Sequence, residues 1–309
     1  MKKYSNLLIT ITCLILLIFI ISNKTLVSNT ILLSFSIWFN TLVPSMLPMF
    51  ILSDILINYH FIDYIPKKII KIISKAFNIS KNAVLVLLLS IISGFPSNAR
   101  NIKTAYDMKY LTKEESEHLL LFNHFANPLF ILTTVGLFFL NNRKYGIIIF
   151  ISHILGSITI ALLFRRKNNP TKNNFNTKKL QSQNFGTILS NSIRRTIDAL
   201  LMISITVTIF LVIGTLITNI FHLNNKLSIL TKSILEITMG LSELAKLNIN
   251  DIYKVVLSTM IISFGGFSIH LQVITSLDEE IKYRNYFIGR IYHLFISGII
   301  SYLLMKIII

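Results

Sequence analysis

The 309 residues are 53% hydrophobic and 14% charged, where a soluble domain carries roughly 25% charge; with the single cysteine, Cys13, this excludes a soluble globular domain and an intrachain disulfide framework. The net charge of +17 sits between apolar runs. No nucleic-acid module accompanies it, so it reads as retention of cytoplasmic loops and not as a nucleic-acid surface.

Lys2 and Lys3 precede an apolar run at 7–21 that has the shape of a signal peptide. Only Ser22-Asn23-Lys24-Thr25 follows, with no small-x-small cleavage site, so the sequence predicts an uncleaved first helix. Further apolar runs fall at 31–57, 83–92, 119–140, 145–164, 197–221, 255–277 and 286–309. Several exceed the roughly 20 residues that carry a helix across about 30 Å of hydrocarbon. They do not alternate apolar and polar residues, which argues against barrel strands. Pro44 and Pro48 mark the second run as kinked or unwound. The predicted class is an all-α polytopic membrane protein.

Charge orients the runs. The stretch 165–195 holds Arg165, Arg166, Lys167, Lys172, Lys178, Lys179, Arg194 and Arg195 and no acid. It is therefore read as a cytoplasmic loop, as are 58–82 and the N-terminus. A full crossing at 83–92 would put 165–195 outside. The expected path is therefore six transmembrane helices plus two re-entrant hairpins, at 65–99 and 228–277, with both termini cytoplasmic. Their tips are Ser93-Gly94-Phe95-Pro96-Ser97-Asn98 and Phe264-Gly265-Gly266-Phe267-Ser268, helix-breaking sequences tolerated at depth only where protein or water covers them. The halves 1–144 and 145–309, with the basic loop 165–195, then form an inverted repeat of the kind found in secondary transporters.

Polar residues inside the runs are the site candidates. Asn123 and Asn127 share a helical face ahead of Pro128, either bonding helices together or lining a solute site. Glu236 is either an acid at depth, a candidate by default, or an ordinary glutamate at the interface; Glu243 is weaker. Asp54 and Asp198 lie near helix ends and are expected to be solvated or ion-paired. His270 and Gln272 follow the second break, as proton-shuttling or structural groups. No His, Cys or Asp cluster has metal-ligand spacing, and no phosphate loop, Gly-x-Ser-x-Gly or His-Glu-x-x-His occurs. No catalytic residue, metal or cofactor is assigned, and the protein is not read as an enzyme.

Five segments, in order, carry a family resemblance: Val43-Pro44-Ser45-Met46-Leu47-Pro48-Met49-Phe50, Ser93-Gly94-Phe95-Pro96-Ser97-Asn98-Ala99-Arg100, Asn123 through Pro128-Leu129-Phe130-Ile131, Leu235-Glu236-Ile237-Thr238-Met239-Gly240, and Phe264-Gly265-Gly266-Phe267-Ser268-Ile269-His270-Leu271-Gln272-Val273. Together they resemble sporulation integral membrane proteins of the YlbJ type. Those contain nucleoside-recognition, or Gate, domains similar to those of concentrative nucleoside transporters and ferrous-iron transport proteins. Asn98 stands where the family has Gly, Arg100 where it has Lys, and His124 where a small polar residue is expected.

The resemblance implies a Gate-type protein of the cell membrane, linked to endospore formation, and the leading reading is a permease. It would move a small polar solute (nucleoside-like) or an ion between two inverted hairpins. Gly94, Phe95, Pro96, Ser97, Asn98, Asn123, Asn127, Glu236, Gly265, Gly266, Ser268, His270 and Gln272 are the expected contacts. Its partners would be the lipid bilayer and that solute or a coupling ion, with no nucleic acid and the oligomeric state open. The rival reading is a non-transporting assembly or scaffold protein of the spore membrane, docking a partner or anionic lipid through 165–195.

Overall fold

The computed structural model describes residues 2–59, 64–166, 184–277 and 279–308. The chain forms α1 (Lys2–Ser22), α2 (Lys24–Ile37), a π-helical segment π1 (Trp38–Leu42), α3 (Val43–Asn58), α4 (Lys67–Phe77), α5 (Lys81–Ser93), α6 (Ser97–Asp107) and α7 (Lys113–Phe122). Then follow π2 (Phe130–Phe139), α8 (Arg143–Leu163), α9 (Phe185–Ile220), α10 (Asn225–Leu235), α11 (Ile237–Lys246), α12 (Asp251–Phe264), α13 (Gly266–Ser276) and α14 (Arg284–Ile308).

The asparagines that punctuate the sequence start helices. Asn142, Asn184, Asn224 and Asn250 accept first-turn N–H groups of α8, α9, α10 and α12. Ser80 and Thr112 do the same for α5 and α7. The two starts are tied together, because the Glu115 carboxylate accepts both the Ser80 N–H (2.7 Å) and its hydroxyl (3.0 Å). At the exposed start of α7, a backbone hydrogen bond and the Thr112 hydroxyl hold the Glu114 carboxyl below its ordinary range.

Five segments are long and apolar enough to cross a membrane: Lys24–Leu56, Arg143–Leu163, Phe185–Ile220, Asp251–Ser276 and Arg284–Ile308. A sixth is counted if the bent pair Lys67–Phe77 and Lys81–Ser93 is one span. The chain is therefore an all-α multi-pass membrane protein. The uninterrupted span α2–π1–α3 packs along α9, where Trp38 Nε1 donates to the Leu200 carbonyl (2.9 Å). On the other side α8, α12 and α14 form one packed group. The apolar helix α1 joins α2 at Asn23, and its Phe19 packs on a small cluster of Val27, Val212 and Leu216.

Several expectations are corrected. Six crossings with two re-entrant hairpins become five or six spans, with one sharply bent apolar pair among the described residues. Its 99° turn lies between Phe77 and Lys81, where Asn78 ends α4 in the left-handed conformation, inside the expected 65–99 hairpin. The reversal at 94–96 follows, and its returning limb is the polar α6, so Asn82 at the foot of α5 donates to the Tyr110 carbonyl (3.1 Å). The segment 228–277 is not one hairpin broken at 264–268. Its chain reverses at Glu236, where the Lys232 ammonium reaches Glu243 (2.6 Å), whereas α12 and α13 form a single span across Gly265. The run 119–140 is not one helix but α7 and π2, parted at 123–127. The expected ion-paired end at Asp54 is found, with Arg195 (3.2 Å) and the Ser192 hydroxyl (2.7 Å). Residues 167–183 of the basic stretch lie outside the described residues.

Candidate functional site

Four chain breaks lie against one another. At the first, Gly94 leaves α5 at φ +72°, and a Cβ there would fall 2.5 Å from the Asn127 nitrogen. The Phe95 N–H and Asn98 Nδ2 both donate to the Phe125 carbonyl (2.7 and 3.0 Å), so the reversal is pinned to the open backbone of the second break. The Phe95 ring stacks on His124 at 5.1 Å. His124 Nε2 would lie 3.2 Å from a Cβ on Gly265, the third break. Beyond it, a Cβ on Gly266 would sit 3.4 Å from the Leu235 carbonyl, at the fourth break around Glu236.

A cavity of about 20 Å³ lies beside these breaks. Glu236, Thr238, Ser268 and Gln272 are its polar lining. Leu42 and Met46 from the π1–α3 junction, Phe95 and Pro96, Phe130, and Ile203 and Val207 of α9 wall it. That volume holds about one water molecule, while a small-molecule pocket runs to roughly 300–1,000 Å³. The site is closed. The N-termini of α6 and α13 have no side-chain cap, and Pro96 and Ser268 bring them to the cavity wall. The α11 N-terminus is capped by Glu236, whose carboxylate accepts the Met239 N–H (2.9 Å).

The sequence candidates divide. Phe95, Pro96, Glu236, Ser268 and Gln272 meet at the cavity. Gln272 donates to the Thr206 hydroxyl (2.6 Å). The buried Ser268 hydroxyl has no hydrogen-bond partner among the described residues. Glu236 is 2% exposed, so its carboxyl is buried within the protein. Asn123, Asn127 and His270 instead brace the breaks. Asn123 Nδ2 donates to the Ser90 hydroxyl (2.9 Å), and Asn127 Oδ1 accepts the Leu129 and Phe130 N–H groups (2.9 and 3.3 Å). His270 lies between the Tyr283 hydroxyl and the Phe264 carbonyl. Gly94, Gly265 and Gly266 supply left-handed backbone, Asn98 pins the first tip, and Ser97 opens α6 half-buried. Among the described residues no three His, Cys, Asp or Glu side chains are arranged to hold a metal ion.

Sequence reasoning missed a second buried polar group. Arg290 is fully buried on α14, with His293 and Tyr286 beside it and His153 facing from α8. The signal was present: Arg290 is the one charge between Arg284 and Lys306 in an apolar run, and an ionisable residue there is a candidate by default.

These features define a multi-pass, all-α membrane protein whose interior is built on interrupted helices. Residues 39–143, from π1 through the breaks at 94–96 and 123–127 to the start of α8, match the family described as nucleoside recognition (Gate). Over 99% of its length the chain is 24% identical to the sporulation integral membrane protein YlbJ of Bacillus subtilis (strain 168), covering 84% of that protein. No solved structure matches the chain.

Proposed function

We propose that the protein is a Gate-type permease for a small polar solute, nucleoside-like, or an ion, in a membrane linked to endospore formation. The observation that carries this reading is the small cavity, with four polar residues in an otherwise apolar lining, at the meeting of interrupted helices. Glu236, the free Ser268 hydroxyl, Gln272 and the uncapped starts of α6 and α13 offer a solute the acceptors and donors it would lose in leaving water. Opening the cavity would require the reversals at 94–96 and 235–237 to move from the breaks they brace.

We further read an inverted repeat in the chain, in a register other than the one that pairs the tips at 93–98 and 264–268. The hairpin α5–α6 corresponds to α10–α11, the interrupted helix α7–π2 to α12–α13, α8 to α14, and α3 to α9. The carbonyls at the two interruptions have matching partners. Leu119 accepts from Asn123 N and Ile261 from Gly265 N (2.7 and 3.0 Å), while Leu121 and Ser263 both accept from Arg290. His153 and Ser157 on α8 match His293 and Ser297 on α14. In this register the halves would divide after α8, where the expected division was after residue 144.

The test uses the single free cysteine, Cys13, which is exposed. In a Cys13→Ser background, one cysteine is placed at Ser97 or Ser268, and labelling by a membrane-impermeant thiol reagent is followed in right-side-out and inverted vesicles. Each site is expected to label from one face, with protection by a nucleoside or another small polar solute. Folded protein that labels from neither face under any solute would overturn the permease and favour a scaffold. Deleting 168–183 would then abolish function, whereas a permease tolerates it.

A further inference from the structure

Arg290 sits as a tethered cation whose two terminal nitrogens are bonded, while its Nε has no hydrogen-bond partner among the described residues. Its guanidinium is fully buried, and among the described residues no carboxylate pairs with it. Nη2 donates to the Leu121 carbonyl (3.1 Å) and Nη1 lies 3.4 Å from the Ser263 carbonyl. These two oxygens belong to the last turns of α7 and α12, which run into the two interruptions. Such ends have carbonyls without helical partners and a partial negative charge. At roughly half an elementary charge each, two converging ends supply about one unit, the countercharge a guanidinium needs.

The rest of the shell is also made of acceptors. His293 Nε2 donates to the His153 carbonyl (2.8 Å), which leaves Nδ1 as the acceptor facing Arg290 Nη1 (2.7 Å). The face of the Tyr286 ring lies 5.3 Å from the guanidinium carbon, and Tyr286 itself is held by His124 Nδ1 (2.9 Å). Carbonyl ends of interrupted helices are where secondary transporters coordinate a dissociable cation. We infer that the converging ends of α7 and α12 form a monovalent-cation site and that Arg290 is its permanent occupant. The guanidinium holds the two interrupted helices together, so this site takes no exchangeable ion while Arg290 is present, and removing the side chain uncovers a site for guanidinium or an alkali cation.

The assignment needs no transported solute, so it stands or falls apart from the permease reading. Thermal melting of purified, detergent-solubilised protein at constant ionic strength tests it. Wild type is expected to melt alike in sodium, potassium and choline chloride. Arg290→Ala melts lower and recovers at least half of its loss in millimolar guanidinium or methylguanidinium, with no recovery in urea at the same concentration. Failure of guanidinium, sodium and potassium to raise its melting temperature overturns the site. If Arg290→Ala does not accumulate, the pair Arg290→Lys and Arg290→Met decides. Greater stability of the lysine variant supports the site. A methionine variant equal to or above it overturns the site, because volume and not charge would then be what the shell requires.

Discussion

The two interrupted helices reach the same result by different means. Between α7 and π2 the chain is open over five residues, 123–127, and side chains hold it: Asn127 caps π2, Asn123 bonds Ser90, and Phe95 and Asn98 share the Phe125 carbonyl. Between α12 and α13 it is open at Gly265 alone, in the left-handed region at φ +93°. A wide break exposes several backbone groups that partners must satisfy, whereas a one-residue break needs only a conformation that glycine adopts freely. The first should therefore be sensitive at many positions and intolerant of crowding, and the second sensitive mainly at its glycines.

The largest expected effect comes where α14 crosses the two. A Cβ on Gly289 would fall 2.7 Å from the carbonyl carbon of Leu121, which is backbone and cannot give way. On the other side a Cβ on Gly298 would meet the Met260 side chain, with Cγ at 2.7 Å and Sδ at 3.1 Å, which can change rotamer. Gly289→Ala should cost more than about 4 kcal/mol and Gly298→Ala about 1–2 kcal/mol, read by accumulation in membranes and melting in detergent. Equal losses would break the contrast.

At the breaks themselves the order is the same. Gly94→Ala combines a left-handed backbone with a Cβ 2.5 Å from the Asn127 nitrogen. Strain and overpacking together come to about 3–5 kcal/mol. Gly265→Ala meets nothing closer than His124 Nε2, at 3.2 Å, and should cost about 1–2 kcal/mol, mainly the left-handed strain. Melting of both variants in detergent checks the ranking, and a costlier Gly265→Ala would reverse it.

Much of this was legible in the residues. The apolar runs 145–164, 197–221 and 286–309 lie within or nearly match α8, α9 and α14, because a long run without breakers has one way to satisfy its backbone in lipid. The breaks at Gly94 and Gly265 were also legible, since glycine marks them. What a break does was not. A glycine-phenylalanine pair reads the same at a reversal as within a span that continues. The distinction lies in the next limb: polar α6 turns back beside α5, whereas apolar α13 carries α12 onward. The reversal at Glu236 was missed because no glycine or proline sits there; its glutamate caps the returning helix instead. Arg290 was passed over because the average of an apolar run hides one charge.

The smallest expected effect is at Asn127, and it asks what holds the wide break open. Its Oδ1 accepts two N–H groups at the start of π2 (2.9 and 3.3 Å), while its Nδ2 reaches the Ser93 carbonyl only at 3.4 Å. If the cap is the larger part, Asn127→Ala should cost about 1 kcal/mol. Asn127→Ser, which keeps a hydroxyl acceptor for the cap and loses the amide N–H, should cost less. Equal losses in the two melting curves would mean that the amide bond to Ser93 matters more than the cap. The interruption would then be held by the hairpin tip at Gly94, and displacement of that tip would close the break as well as open the cavity.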